Sequence, residues 1–256
     1  MDSTTSLAGK HALITGGGTG IGLAIARAFA ARGAQVTITG RRQDVLDAVA
    51  GAGLFGAAMD VRDEASVCDV IARAISERGP VQICVPNAGI AQGRAVHKTD
   101  TAFWRDMMAT NLDGAFLTIR ECLPGMRSTD WGRVIAISSI AGLRGLPGAA
   151  AYAASKHGLI GLIRSLSEDY MGQPYTFNAL CPGYVDTPIV TRNQDAIATR
   201  TGMSTDAARQ VMIDANRHKR LIDVNEVAAA AIWLTGTGSQ SINGQCIEIA
   251  GGQTCA

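Results

Sequence analysis

An excess of charge of one sign is missing from this 256-residue sequence: 23 Lys and Arg stand against 22 Asp and Glu, for a formal net charge of +1 at pH 7. So even a balance provides no overall field to draw the chain to nucleic acid or to an anionic membrane, and neither partner is expected. Long apolar runs are missing too. None approaches the ~18 residues that a membrane span requires. The opening MDSTTSLAGKHALITGG carries an acid at position 2 and has no apolar stretch before Leu7, which is not the pattern of a signal peptide. The six cysteines (Cys68, Cys84, Cys122, Cys181, Cys246 and Cys255) are scattered, without a C-x-x-C pair or a close histidine partner. That argues against a zinc site and a disulfide framework, and for reduced thiols in a cytosol. His97, His157 and His218 have no partners at ligand spacing and read as surface or packing residues, so no metal is expected. A cytoplasmic location is the expectation.

Also absent is any Pro/Gly/Ser-rich linker, charge block or internal repeat that would divide the chain. At 47% hydrophobic residues the length suffices for one large α/β domain or two small ones. Short apolar runs alternate with longer helical periods. HALIT (11–15), QVTIT (35–39), VQICV (81–85) and RVIAIS (133–138) read as strands, with further strands inside LFGAAMDV, TFNALCPG and QCIEIAGG. Between them lie IGLAIARAFAARG, QDVLDAVAG and EASVCDVIARAISERG, the last with apolar positions at 67, 70, 71, 74 and 75. Continuous apolar strands alternating with helices imply a parallel sheet covered on both faces. The expectation is a single α/β domain over 1–256, a doubly wound parallel sheet of about seven strands.

The first strand runs into TGGGTGIG (15–22), which places Gly16, Gly20 and Gly22, with Thr19 and Ile21 between them, ahead of a long helix. Glycines here permit a tight turn and close approach of the backbone to a pyrophosphate, while the helix N-terminus presents free N–H groups. A glycine turn can also be purely steric. Its place after the first strand makes it a dinucleotide site of Rossmann type. Such sites carry an acid about 20 residues further on, to hold the adenosine ribose. That acid is missing: the second strand ends Thr39-Gly40-Arg41-Arg42. A carboxylate would repel a 2′-phosphate and an arginine can grip it, so NADP is favoured as cofactor and NAD left open. The plainer reading makes Arg41 and Arg42 solvated residues at a helix start. Asp60, next to Val61 after the third strand, would meet the adenine edge or simply end a strand.

AAYAASKHGL sets Tyr152 and Lys156 one turn apart on one helix face, among small residues where an ordinary amphipathic helix would carry leucines. Ser138 and Ser139 end the fifth strand, and VPNAG ends the fourth. The ends of such strands line the active crevice of an open parallel sheet. With T-G-x-x-x-G-x-G at 15–22, N-A-G at 87–89, Asn111, Ser139, Y-x-x-x-K at 152–156 and P-G at 182–183, the chain resembles the short-chain dehydrogenase/reductase family over nearly its whole length. The resemblance implies an NAD(P)-dependent oxidoreductase that interconverts a secondary alcohol and a ketone. Tyr152 is then general acid and base, with its phenol made more acidic by the Lys156 cation. Ser139, which the family's thirteen-residue spacing selects over Ser138, holds the substrate oxygen. Lys156 also binds the nicotinamide ribose, Asn111 holds a water linked to Lys156, and Thr187 binds the carboxamide. Further cofactor contacts fall to Asn87, Ala88, Gly89, Pro182, Gly183 and Val185. Two positions depart from the family pattern: Pro86 replaces the first Asn of N-N-A-G, and Ala250 an aspartate before Gly-Gly.

The stretch from Tyr184 to Leu221 reads as a substrate lid with helical character in STDAARQVMIDA, capped by Ser204. Ile189, Val190, Met203, Val211 and Met212 would wall a pocket for a hydrophobic carbonyl compound. Arg144 and Arg217-His218-Lys219-Arg220 are either solvated charges or a means of steering an anionic substrate such as a thioester of coenzyme A or a carboxylate. The stretch is similar to 3-oxoacyl and polyketide ketoreductases and to alcohol dehydrogenases of aromatic degradation, so a 3-oxoacyl, aryl or cyclic ketone is the expected small-molecule partner. The family also implies a homotetramer or homodimer. The competing reading is a non-catalytic nucleotide-binding sensor or scaffold on the same fold.

Overall fold

The computed structural model describes residues 6–253. Strands β1 (His11–Thr15), β2 (Gln35–Gly40), β3 (Leu54–Ala58), β4 (Val81–Val85), β5 (Gly132–Ile137), β6 (Tyr175–Pro182) and β7 (Cys246–Ile249) form one sheet in the order β3-β2-β1-β4-β5-β6-β7. Every neighbouring pair is parallel. The connecting helices are α1 (Gly20–Ala30), α2 (Gln43–Asp47), α3 (Glu64–Arg78), α4 (Thr101–Met108), α5 (Gly114–Met126), α6 (Ala150–Asp169), α7 (Pro188–Thr201), α8 (Thr205–Ala215) and α9 (Val224–Thr235). This is the Rossmann-type doubly wound sheet in a single domain.

Parallel strands need crossovers, and crossovers cover both faces of the sheet, which is why β1, β5 and β6 are buried at every position. The two-residue alternation divides each strand between two cores. Leu13 joins Val67 and Ile71 of α3, Ile119 of α5 and Ile163 of α6 on one face. Ala12 and Ile14 join Ile25 and Phe29 of α1 and Val227 and Leu234 of α9 on the other. No helix among the described residues is long and apolar enough to cross a membrane. Cys68, Cys84, Cys122, Cys181 and Cys246 are unpaired, and Cys255 lies outside the described residues.

The strand order reverses between β1 and β4, and a crevice opens there at the carboxyl ends of the strands. Thr15 closes its floor. Its hydroxyl accepts from the backbone N–H of Asn87 at 3.0 Å and of Ala88 at 2.9 Å. The Asn87 side chain returns a bond to the Thr15 carbonyl at 2.8 Å. Pro86 contributes no N–H to the strand end, but its carbonyl still accepts from Ile137 at 2.9 Å and keeps the sheet ladder intact.

The region expected to form a long lid is largely helical. Thr187 caps α7 and Gly202 ends it at φ +74°, and the Ser204 hydroxyl accepts from the Ala207 N–H at 3.2 Å to start α8. Replacing Thr15 with Val keeps the side-chain volume but leaves two N–H groups at the crevice floor without an acceptor. We expect Thr15→Val to lower the unfolding free energy by about 2 kcal/mol, measured by urea denaturation; an unchanged midpoint would remove the role given to this hydroxyl.

Candidate active site

Lys156 is 5% exposed and reaches inward from α6. Its Nζ donates to the carbonyl of Ile137, at the end of β5, at 2.8 Å, and lies 5.9 Å from the centre of the Tyr152 ring. The Ser138 hydroxyl donates to the Lys156 carbonyl at 3.2 Å, so helix and strand are joined at two points. Ser139, the next residue, accepts from the Ala141 N–H at 3.1 Å and lines the same cleft as Tyr152 and Lys156. The cleft measures about 340 Å³.

Burial dominates the titration of this pair. It lowers the Lys156 ammonium to about 8, because removing the cation from water favours the neutral amine. It also raises the Tyr152 phenol, against a smaller downward pull from its hydrogen bond with Ser139. The expectation that the Lys156 cation makes the phenol acidic is therefore reversed in the protein alone. Desolvation outweighs the attraction of two groups separated by a ring radius and a carbonyl partner.

Asn111 occupies a short π-helical turn (Ala109–Asp113) between α4 and α5 and is 1% exposed. Its Oδ1 accepts from the Ile90 N–H at 2.8 Å. Its Nδ2 donates to the Ile90 carbonyl at 2.9 Å and to the Ser155 hydroxyl at 3.0 Å. The side-chain amide is thus fully engaged in joining β4's exit loop to α6, which sequence reading did not anticipate.

The glycine turn tests whether a nucleotide fits. Gly16 and Gly20 have φ of +65° and +55°, and a Cβ on Gly22 would come within 2.5 Å of the Gly16 carbonyl and of Asn87 Nδ2. Thr19 provides no side-chain cap to α1, and no acid stands in its first turn. The opening amides of α1 are left to an external anion, as a pyrophosphate site requires. Ile21, Asn87 and Gly89 border the cleft from this side, and Pro182, Gly183, Val185 and Thr187 from the end of β6.

Other expected contacts stand further off. Arg41 and Arg42 are exposed beyond β2 and make no salt bridge among the described residues. Both Asp60 oxygens are taken by Arg62, with contacts of 2.7–3.2 Å, and that guanidinium holds the carboxyl below its usual range. Val61 is buried against Gly114, and Ala88 is held by Thr15. Ile189, Val190 and Met212 line the cleft, but Met203 and Val211 are 46% and 50% exposed and do not. The basic cluster does not face the cleft either. Arg220 pairs with Glu226, Lys219 with Asp214, and the His218 ring lies against Gly251. Tyr184 and Asn216, not singled out in the sequence, belong to the site: Tyr184 lines the cleft and Asn216 grips its backbone.

A glycine turn at the switch point of a parallel sheet, facing a buried tyrosine–lysine pair, is the architecture of a nicotinamide-nucleotide oxidoreductase. A family model described as short chain dehydrogenase matches residues 10–198, and the chain belongs to that family. It is 34% identical to the D-beta-hydroxybutyrate dehydrogenase of Rhizobium meliloti (strain 1021), over 96% of this chain and 98% of that protein. It is 33% identical to the 3-oxoacyl-(acyl-carrier-protein) reductase of Escherichia coli (strain K12), over 95% and 97%. A crystal structure of an actinorhodin polyketide ketoreductase variant with NADPH superposes with a TM-score of 0.93, at 31% identity and over 100% of both chains.

The lysine shift has a measurable consequence for stability. Below pH 8 folded and unfolded chains both carry the charge, and the folded one bears the full desolvation penalty. Between pH 8 and about 10.5 the folded state loses its proton first, so this contribution to stability improves as pH rises. Lys156→Met is expected to raise the unfolding free energy at pH 7 by about 1–2 kcal/mol, less than the whole penalty because the Ile137 carbonyl loses its donor. The advantage should shrink to near zero by pH 10.5. Denaturation at both pH values checks it, and a variant less stable than wild type at pH 7 would contradict it.

Proposed function

We propose that the protein reversibly interconverts a secondary alcohol and a ketone, with NADP preferred over NAD. The observation that carries this reading is the burial of Tyr152 and Lys156 together, beside Ser139, in a cleft that the glycine turn borders. When bound, the nicotinamide supplies or accepts the hydride. Ser139 and Tyr152 hold the substrate oxygen between two hydroxyls, and Tyr152 gives it a proton in reduction or removes one in oxidation. A phenol raised by burial is well suited to remain protonated as the acid. Lys156, anchored on Ile137, places a cation below the ring and its remaining hydrogens towards the ribose hydroxyls. The Asn111 amide is fully bonded, so a water at this position would rest on its main-chain carbonyl. Thr187 would orient the carboxamide, and α7 and α8 would act as the lid over 184–221.

The preference for NADP rests on the missing acid at the end of β2. Gly40 stands there, Arg41 and Arg42 follow without salt bridges, and the nearby Asp60 is neutralised by Arg62. A 2′-phosphate meets two available guanidinium groups and no uncompensated carboxylate. The exposed Trp104 and Phe116 on α4 and α5, and Trp233 on α9, support a homotetramer or homodimer. The balanced charge and the unpaired thiols suit a cytoplasmic setting.

Removal of the Tyr152 hydroxyl tests the reaction. Tyr152→Phe is expected to lower kcat on any accepted ketone by at least a thousandfold, with cofactor affinity kept; turnover equal to wild type would end the acid/base assignment. Cofactor choice is tested separately. Arg41→Asp should weaken NADPH binding at least tenfold relative to NADH in fluorescence titrations, and an unchanged ratio would refute the charge argument.

A further inference from the structure

On its substrate side the cleft is walled mainly by aliphatic residues, among them Ile140, Leu146, Ile189, Ile197 and Met212. Tyr184 interrupts that wall. Its hydroxyl has no hydrogen-bond partner within the described residues, whereas its backbone is held at both ends. The Tyr184 N–H donates to Asn216 Oδ1 at 3.2 Å, and its carbonyl accepts from Asn216 Nδ2 at 3.0 Å and from the Ile222 N–H at 2.9 Å. Asn216 is fully buried and also donates to the Arg220 carbonyl at 2.8 Å. A polar tip without an internal partner, on a root fixed this firmly, is a prepared donor for a group on the substrate.

Two neighbours define what that group is. Tyr184 lies close enough to Tyr152 for a negative charge on one phenol to disfavour the other, so an acceptor held by Tyr184 sits near the reacting oxygen. Arg144, on the loop before α6, is exposed, makes no salt bridge among the described residues and acts electrostatically on Tyr184. It adds positive potential behind the phenol, and the rest of the wall is apolar.

We propose that the Tyr184 hydroxyl, backed by Arg144 and positioned by Asn216, binds a second oxygen acceptor on the substrate, one carbon away from the reacting carbonyl. This rests on the alcohol–ketone reading above and narrows it to 3-oxo compounds, whose second acceptor is a carboxylate or a thioester carbonyl. Tyr184 donates one hydrogen bond to that oxygen while Ser139 and Tyr152 hold the other. The substrate is fixed at two points, and the carbon to be reduced has one orientation.

The test compares acetoacetate, the N-acetylcysteamine thioester of acetoacetate and 2-pentanone as substrates for wild type, Tyr184→Phe and Arg144→Gln, following oxidation of the reduced cofactor. Tyr184→Phe should lower kcat/KM for a 3-oxo substrate at least tenfold more than for 2-pentanone, mainly through KM. Arg144→Gln separates the acceptors, weakening acetoacetate more than the uncharged thioester. Equal factors for Tyr184→Phe on all three substrates overturn the proposal. Absence of turnover with every ketone would instead count against the oxidoreductase reading. Saturation-transfer NMR of acetoacetate then decides the present point: weaker binding to Tyr184→Phe than to wild type supports it, and equal binding overturns it.

Discussion

The hydrogen bond from Lys156 Nζ to the Ile137 carbonyl, 2.8 Å long and out of reach of water, governs the arrangement of the cleft. It is available because β5 ends at Ile137, where the chain leaves the ladder. The Ser138 hydroxyl, one residue on, takes hold of the Lys156 backbone. With strand and helix joined twice, Tyr152 one turn earlier on α6 has a fixed place above the amine. The cation also loses its hydration, and this lowers it to about 8. A group that titrates so near neutrality responds strongly to any charge brought beside it.

The same anchoring extends outward through polar side chains that the sheet alone would not require. Thr15 ties β4 to β1, Asn111 ties the loop after β4 to α6, and Asn216 ties the end of β6 to the chain leaving α8. Each sits where a strand gives up its ladder partners and leaves backbone groups to be satisfied. The crevice is therefore built from the chain's need to satisfy its backbone at the strand ends, and the groups facing inward inherit that rigidity.

Much of this was legible in the sequence, and the physical reasons are specific. Strands such as HALIT and VQICV could be read because both faces are buried and nothing but apolar or small residues fits there. The glycine turn and the tyrosine–lysine step could be read because close approach and helical periodicity impose local spacing. Properties set by the neighbours could not. The phenol shift was misjudged because spacing reveals the cation but not the loss of water around both groups. Met203 and Val211 fall on the outer sides of α7–α8, a distinction that the composition of a single segment does not carry. Asn216 lies in the strongly charged stretch NRHKR and is nonetheless fully buried, and Asp60 and Arg220 have partners that only folding brings near.

The central claim is that Tyr152 and Lys156 titrate as one unit, set against ion-pair formation by burial and reset by a positive charge entering the crevice. Ultraviolet difference titration of tyrosinate, taken as wild type minus Tyr152→Phe, reads that phenol directly. In the protein alone the account predicts ionisation above the ordinary tyrosine value near 10, and a clear fall once oxidised NADP saturates the protein. A phenol that already ionises below 10 in the protein alone, or one that oxidised NADP leaves unmoved, would contradict it.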